Sequence, residues 1–170
     1  MEPFAPDIRP ASPIDGRFHL QEEAGRGGMG VVYKAWDQVR QTWVAVKVLH
    51  VMRSTVAARF DREIRLLESL GHPFIVRYHD QGVLPDGRRY LVMEWVEGET
   101  LAQRLHRGAL SLDEAIDLGR RLASALGAAH RQSIIHRDFK PSNVLLVGGD
   151  LQLPKLLDFG VARDVDSDTH

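Results

Sequence analysis

The chain has 170 residues, of which 44% are hydrophobic and 26% are charged, a composition typical of a globular protein rather than a disordered or fibrous one. Its 22 lysines and arginines nearly balance its 23 aspartates and glutamates, so no broad basic surface predicts binding to nucleic acid or to an anionic membrane. The lack of cysteine excludes disulfides, cysteine-based zinc sites and thiol catalysis.

A proline-rich leader precedes the first predicted strands. Four prolines fall within residues 1–13, and this spacing favours an extended or disordered segment. From residue 14 onward, three segments rich in β-branched and aromatic residues are separated by turn-forming residues. These segments, FHLQEEAG, GVVYKAWD and TWVAVKVLHV, predict an antiparallel meander. With no signal-peptide pattern and no apolar run long enough to span a membrane, we expect a cytoplasmic protein without a membrane segment in this chain.

A helix and a second hairpin are predicted next. Apolar residues recur at helical spacing between a candidate cap, Ser54 or Thr55, and a candidate stop, Gly71. FIVRYHDQGVL and RRYLVMEWVEG then flank Pro85-Asp86-Gly87, a turn sequence that predicts two more strands. Residues 14–97 are therefore expected to form one unit of strands with a single main helix.

Residues 98–170 are predicted to form a second, mainly helical unit. Ser111 and Glu114 have capping-box spacing at the start of a helix over residues 112–131. Apolar side chains cover about 200° of this helix, well beyond the ~100° stripe of a one-sided surface helix. Such a helix is predicted to pack against other elements on two sides. Without those elements, its exposed apolar surface could support self-association or pairing with another chain.

The segment AGRGGMGVV contains a glycine pattern that suits phosphate binding. Gly25, Gly27 and Gly30 fit G-x-G-x-x-G, a spacing that also occurs in dinucleotide-binding folds. In those folds the third glycine opens a helix, whereas here a strand is predicted to continue from Val31 to Trp36. Because glycine has no side chain, the backbone N–H groups of such a loop can approach an anion closely. An ordinary glycine-containing hairpin without a ligand has the same pattern, and this alternative stays open.

Four further segments carry charged or polar residues with complementary chemistry. Lys47, in the VAVK stretch of the third predicted strand, could reach phosphates held by the glycine loop, and Glu63 on the following helix could hold its ammonium in position. Asp138 could accept a proton from an attacking hydroxyl, while Asn143 and Asp158 supply oxygen ligands of the kind that Mg²⁺ prefers beside phosphates. Each residue alone is ordinary for a surface or a turn, and their order in the chain favours catalysis.

In this order GRGGMGVV, VAVK, HRDFKPSN and DFG resemble the protein kinase family, over residues 18–163. FHLQEEAGRGGMGVVYKAWD is most similar to the serine/threonine kinases of bacteria, and Lys140 is typical of kinases that act on serine or threonine. The resemblance implies an α+β, protein-kinase-like fold: a five-stranded antiparallel N-lobe with one main helix, and the first part of a mainly helical C-lobe. It also implies a signalling enzyme whose partner is a protein substrate with a Ser or Thr acceptor, and whose cofactors are ATP and Mg²⁺.

The same resemblance implies a role for each matching residue. The glycine loop would cover the ATP phosphates, the strands and a hinge at MEWV, residues 93–96, would enclose adenine, and Met93 would be the gatekeeper. The implied nucleotide contacts are Gly25, Gly27, Gly30, Val32, Ala45, Lys47, Met93, Glu94, Val96 and Leu145. The implied catalytic residues are Asp138 as base, Lys140, Lys47 and its partner Glu63, and the implied Mg²⁺ ligands are Asn143 and Asp158. A stacked spine would comprise Leu67, Tyr78, His136 and Phe159.

The family pattern continues after DFG through an activation segment and several helices that bind protein substrate. This sequence ends soon after DFG, so we predict an N-terminal portion of a catalytic domain that transfers the ATP γ-phosphoryl group to protein Ser or Thr. Two alternatives stay open: an ATP-binding chain without catalytic activity, and an interaction module that uses its apolar helix face.

Overall fold

Five strands form the first lobe of the protein. The structure is a computed structural model that describes residues 13–28, 30–50 and 64–159. The strands are β1 (Phe18–Gly27), β2 (Gly30–Asp37), β3 (Thr42–Leu49), β4 (Tyr78–Val83) and β5 (Arg89–Glu94). They form one antiparallel sheet in the order β1-β2-β3-β5-β4, which confirms the predicted meander and hairpin. Helix α1 is described over residues 64–69, and the predicted cap at Ser54 or Thr55 lies outside the described residues.

The second lobe combines helices with a small sheet. Its elements are β6 (Gly98–Thr100), α2 (Leu101–His106), α3 (Leu112–Arg131), a 3₁₀ turn (Pro141–Asn143), β7 (Val144–Val147) and β8 (Pro154–Leu156). Helix α3 begins at the capping box that the sequence predicts, with Ser111 accepting from the Glu114 N–H at 3.2 Å. The small sheet has the order β6-β7-β8, so Pro154 lies on an edge strand, where its missing N–H costs no ladder bond.

Residues 74–77 differ from the strand predicted for them. They join the two lobes before β4 begins: the Leu156 N–H donates to the carbonyl of Phe74 at 2.9 Å, and the Val76 N–H donates to the carbonyl of Leu156 at 3.0 Å. Apolar runs do not distinguish a strand from an extended connection, because both bury the same residue types. This connection brings the second sheet directly beneath the first lobe.

Alternation along β2 and β3 separates two hydrophobic cores. One face of the large sheet packs into an outer core, which comprises Ile14, Phe18, Val31, Tyr33, Ala35, Val44, Val46, Val48, Leu84, Tyr90 and Val92. The opposite face contributes Ala45, Leu91 and Met93 to an interlobe core that continues through α1, α3 and β7 to Phe159. Side chains on this second face therefore look toward the junction between the lobes.

A buried carboxylate fastens the turn before β1 to the outer core. Asp37 is 0% exposed and accepts two hydrogen bonds from Arg17, at 2.8 and 2.7 Å, while a third Arg17 nitrogen contacts Asp80 at 2.7 Å. Asp37 also accepts from the Val39 N–H at 2.9 Å. The hydrogen bonds from Arg17 hold the pKa of Asp37 at about 2, below its ordinary value of 3.8.

Replacing Asp37 with asparagine is expected to lower the free energy of unfolding by about 2 kcal/mol at pH 7, because the native carboxylate is the favoured form. The depressed pKa means that this stabilisation is complete above pH 3.8 and is lost as the pH falls toward 2. Urea unfolding of both proteins between pH 7 and pH 2.5 measures the difference. Asp86→Asn, which removes an exposed pair with Arg88, is the matched control and should change stability far less. Equal stability of Asp37→Asn and the native chain at pH 7 would contradict this assignment.

Only part of the wide apolar face of α3 is covered. Leu118 and Leu122 are buried in the interlobe core, whereas Leu112 is 75% exposed and Ile116 is 42% exposed. Beside them an open apolar groove of about 480 Å³ runs between α3 and Phe139. The prediction that this helix leaves apolar surface exposed is thus confirmed. Among the described helices none has the length and apolarity needed to cross a bilayer.

Candidate active site

Strand β3 delivers Lys47 to the junction between the lobes. The β2–β3 register pairs Lys47 with Val32 and Ala45 with Lys34, so these side chains share the sheet face that looks toward the second lobe. Lys47 is only 7% exposed, and a buried ammonium requires a partner. That partner is Asp158, whose Oδ1 lies 2.7 Å from the Lys47 Nζ.

The Lys47–Asp158 pair was not predicted from the sequence. Glu63, the predicted partner of Lys47, lies outside the described residues, so that pairing stays a prediction. Asp158 was expected only as a metal ligand, yet its carboxylate is close enough for a charge-assisted hydrogen bond with Lys47. The pair spans the lobes, since Lys47 belongs to β3 and Asp158 follows β8.

Asp138 is held by two neighbours on its own loop. The Asn143 Nδ2 donates to the backbone carbonyl of Asp138 at 2.8 Å and to its Oδ2 at 3.0 Å. The Lys140 Nζ lies 2.9 Å from the same Oδ2. The 3₁₀ turn at Pro141–Asn143 makes this convergence possible, because it folds Asn143 back over the start of the loop. Three residues predicted to act together are therefore brought together.

His136 links that loop to the strand that precedes Asp158. Its Nε2 lies 2.7 Å from the carbonyl oxygen of Leu157, and because a carbonyl can only accept, Nε2 carries the proton. Its Nδ1 then accepts from the Asp138 N–H at 3.3 Å. Burial lowers the pKa of His136, which favours this neutral form. The histidine is structural, as the sequence suggested.

The residues predicted to stack as a spine are all buried at the lobe junction. The His136 ring lies 4.7 Å from that of Phe159, measured between centroids. The Tyr78 hydroxyl is hydrogen-bonded to the backbone of Phe159, and Leu67 is 1% exposed in the same interlobe core. Burial is the main cause that raises the pKa of Tyr78 far above its ordinary value, so this hydroxyl stays protonated. The spine fixes Phe159, and with it the neighbouring Asp158.

Two residues of the site have backbone angles that side chains rarely adopt. Arg137 has φ of 60° and Asp158 has φ of 50°. Non-glycine residues in this left-handed region cost on the order of 1–3 kcal/mol and persist where surrounding contacts over-determine them. The contacts of His136 and Lys47 with this segment do so here. Such strain at Arg137, next to Asp138, and at Asp158 is typical of a functional loop.

The predicted adenine pocket lies where β5 passes into the second lobe. Met93 is 5% exposed and pairs with Ala45 across β3 and β5, which places the predicted gatekeeper beside a predicted adenine contact. The Glu94 N–H donates to the Arg77 carbonyl at 2.9 Å and is therefore already paired. Val32, Val96 and Leu145 are partly buried around this place.

The three glycines of the loop have different surroundings. A Cβ added at Gly25 or Gly27 would meet nothing within 4 Å, so both positions leave open space next to the sheet. Gly30 has φ of +155°, and a Cβ there would collide with the Val48 carbonyl and lie 2.9 Å from the Leu49 Cα. Gly30 is therefore required by close packing of β2 on β3, whereas Gly25 and Gly27 leave room for a ligand.

The residues predicted to hold Mg²⁺ fit that ion by their chemistry. Both Asn143 Nδ2 contacts use its N–H groups, which leaves the amide oxygen as the atom that can bind a cation. Asp158 adds a carboxylate, and oxygen donors of both kinds suit a hard cation. Within the described ranges no cluster of three or more His, Cys, Asp or Glu residues could hold a metal alone. Two protein ligands, with the rest from phosphates and water, match the way in which Mg²⁺ is usually bound.

This arrangement, a glycine loop above a lysine and a carboxylate–amide pair below it, is the geometry of a phosphoryl-transfer site between two lobes. Residues 18–170 match the family described as "Protein kinase domain", and the chain belongs to the protein kinase family.

Its relatives include bacterial serine/threonine kinases. The chain is 43% identical to the serine/threonine-protein kinase pkn2 of Myxococcus xanthus over 159 residues, which cover 91% of this chain and 19% of that protein. Its fold matches the crystal structure of the Mycobacterium tuberculosis PknI kinase domain with a TM-score of 0.77 and 31% identity, covering 86% of this chain and 59% of that one. It also matches Rad53 in complex with AMP-PNP, with a TM-score of 0.77 and 30% identity over 88% of this chain and 40% of that one. The protein-kinase fold predicted from the sequence is therefore confirmed, and this chain spans a portion of each relative.

Proposed function

We propose that this chain binds Mg²⁺-ATP between its lobes and, as part of a kinase domain, transfers the γ-phosphoryl group to a Ser or Thr hydroxyl of a protein. The observation that carries the proposal is the placement of Asp138 with Lys140 and Asn143 on one loop, facing a lobe that presents Lys47 paired to Asp158. Membership of the protein kinase family supports the same reaction.

Binding of the nucleotide would use both lobes. Val32 and Ala45 cover one side of the proposed adenine pocket, Leu145 the other, and Met93 closes its inner end. Lys47 is positioned to meet the phosphates with its ammonium, because Asp158 holds it at 2.7 Å. The open space at Gly25 and Gly27 lets backbone N–H groups approach those phosphates.

The residues around Asp138 suit a proton transfer that accompanies attack. In the proposed step the acceptor hydroxyl oxygen forms a bond to the γ-phosphorus, its proton passes to the Asp138 carboxylate, and the bond to the β-phosphate oxygen breaks to release ADP. Lys140 contacts the same carboxylate oxygen at 2.9 Å and would balance charge on the transferring group. When bound at Asn143 and Asp158, Mg²⁺ would supply charge neutralisation of the phosphates.

Hydrogen exchange with and without Mg²⁺-ATP tests whether the cleft is the binding site. We expect slower exchange in peptides that cover residues 25–32, 94–97 and 143–146, because these backbones would contact nucleotide. Exchange in residues 112–131 should stay unchanged. Lys47→Met is the matched control, and its protection by nucleotide should be much weaker. Unchanged exchange in the cleft, or protection confined to residues 112–131, would contradict the proposal.

The exposed face of α3 favours a second candidate function. Leu112, Ile116 and Phe139 are 75%, 42% and 52% exposed beside the apolar groove, and such a surface is typical of a contact between proteins. In this alternative the chain would act as an interaction module that pairs through α3. It is favoured if exchange in residues 112–131 slows with protein concentration while nucleotide leaves the cleft unaffected.

A further inference from the structure

Two of the three tryptophans of the chain lie against one lysine beside the proposed adenine pocket, and the third packs on one of them. The Lys34 Nζ lies 4.9 Å from the ring centroid of Trp95 and 5.2 Å from that of Trp43. Trp36 packs edge-on against Trp43 with 5.2 Å between centroids. We call Lys34, Trp36, Trp43, Trp95 and Glu97 the tryptophan cluster. Trp43 and Trp95 therefore face a charged group.

One carboxylate oxygen joins the lysine to an indole. The Glu97 Oε1 accepts from the Lys34 Nζ at 2.9 Å and from the Trp95 Nε1 at 2.6 Å. The hydrogen bond from Trp95, and after it that from Lys34, lowers the pKa of Glu97. An exposed ion pair alone contributes little, but here the same ammonium also lies near the faces of two indoles. The three groups therefore restrain one another.

The tryptophan cluster ties three parts of the cleft together. Lys34 lies on β2 directly opposite Ala45 in the β2–β3 register, two pairs along from Val32 and Lys47 and so on the same face of the sheet. Trp95 and Glu97 belong to the connection between β5 and β6, and the backbone carbonyl of Glu97 accepts from the Gly148 N–H at 2.9 Å. Lys34 thus fastens the connection between the lobes to the strand that covers the adenine pocket.

We propose that Lys34 is a positioning residue for nucleotide binding, which holds the connection at residues 95–97 against β2 and β3. The inference rests on the proposed function, because it assumes that adenine lies between Ala45 and the Val96 backbone. A connection already held in place loses less conformational freedom when a ligand binds, so affinity is higher. Lys34 acts through Trp95 and Glu97 and does not itself touch the nucleotide.

The test compares Lys34→Met with Lys34→Arg. Methionine keeps an unbranched stem without the charge, whereas arginine keeps both the ion pair and the contact with the indole faces. Isothermal titration with Mg²⁺-ATP should show a Kd raised about 3- to 10-fold in Lys34→Met, and restored to within about 2-fold of the native value in Lys34→Arg. Arg120→Met removes an exposed pair with Asp117 on α3 and is the matched control with no expected change.

A second readout works without nucleotide. Exchange of the amides at residues 95–97 should be faster in unliganded Lys34→Met than in the native chain, and tryptophan emission should shift because Trp95 and Trp43 lose their neighbouring charge. Glu97→Gln should speed exchange in the same residues to a smaller extent, since its amide oxygen can still accept from Trp95.

The outcomes separate this inference from the proposed function. Native chain that fails to bind Mg²⁺-ATP would refute the proposed function, and with it the role of Lys34 in affinity. Native chain that binds, together with a Lys34→Met variant of unchanged Kd, would overturn the positioning role alone. Unchanged exchange at residues 95–97 in Lys34→Met would overturn it as well, as would a Lys34→Arg variant that binds as weakly as Lys34→Met.

Discussion

Replacing Gly30 with alanine is expected to destabilise the first lobe by about 3 kcal/mol or more. Two costs add at this position. The backbone has φ of +155°, which side chains rarely adopt, and the new methyl group would collide with the Val48 carbonyl on β3. Neither the Val48 carbonyl nor the Leu49 Cα can move without disturbing the β2–β3 ladder, which pairs Gly30 with Leu49. Urea unfolding followed by circular dichroism measures the loss.

Gly27→Ala is the matched control for that experiment. A Cβ at Gly27 meets nothing within 4 Å, so this variant should unfold close to the native midpoint. Any defect of Gly27→Ala should appear in Mg²⁺-ATP affinity, because the methyl group would fill space left for phosphates. If Gly30→Ala were as stable as Gly27→Ala, the distinction between a packing glycine and a ligand-facing glycine would be wrong.

Local sequence signals were sufficient for most of the fold. β-branched and aromatic residues place β2 and β3, and the Pro85-Asp86-Gly87 turn places the hairpin of β4 and β5. The capping box at Ser111 gives the start of α3. These features depend on residues close in sequence, which is why they can be read without knowing the tertiary structure.

Contacts between residues far apart in the chain were harder to predict from the sequence. The Lys47–Asp158 pair joins residues far apart in the chain, and it depends on how the two lobes meet rather than on spacing. The apolar run RRYLVMEWVEG predicted strand through residues 95–97, because Trp95 and Val96 are typical strand residues, whereas the family resemblance implied a hinge at MEWV; β5 ends at Glu94. After Glu94, the Trp95 side chain contacts Lys34 and Glu97, and the ladder of β5 does not continue.

The candidate site was predicted as a set of residues, but the roles of its members were only partly predicted. The sequence grouped Asp138, Lys140 and Asn143, and the structure brings them within hydrogen-bond distance. From the sequence, the three loop glycines were given the same role, whereas in the structure Gly30 is required for close packing of β2 on β3. Backbone strain at Asp158 could not be predicted, because no residue type there demands a positive φ.

Replacing Asp138 with asparagine is expected to lower the rate of phosphoryl transfer by about 10²- to 10⁴-fold, the usual contribution of a positioned general base. An amide can still accept hydrogen bonds from Asn143 and Lys140, so the loop should keep its shape while losing the group that takes the proton. Mg²⁺-ATP affinity should stay close to the native value. Asp113→Asn, an exposed position in the first turn of α3, is the matched control with the same chemical change.

The most direct test of the central claim is transfer of label from γ-labelled ATP to a Ser/Thr-containing protein in the presence of Mg²⁺. We expect label from the native chain and from Asp113→Asn, and its loss in Asp138→Asn although that variant still binds nucleotide. A folded native chain that binds Mg²⁺-ATP but transfers no label, or equal transfer by Asp138→Asn, would contradict the proposal that this chain carries a working kinase site.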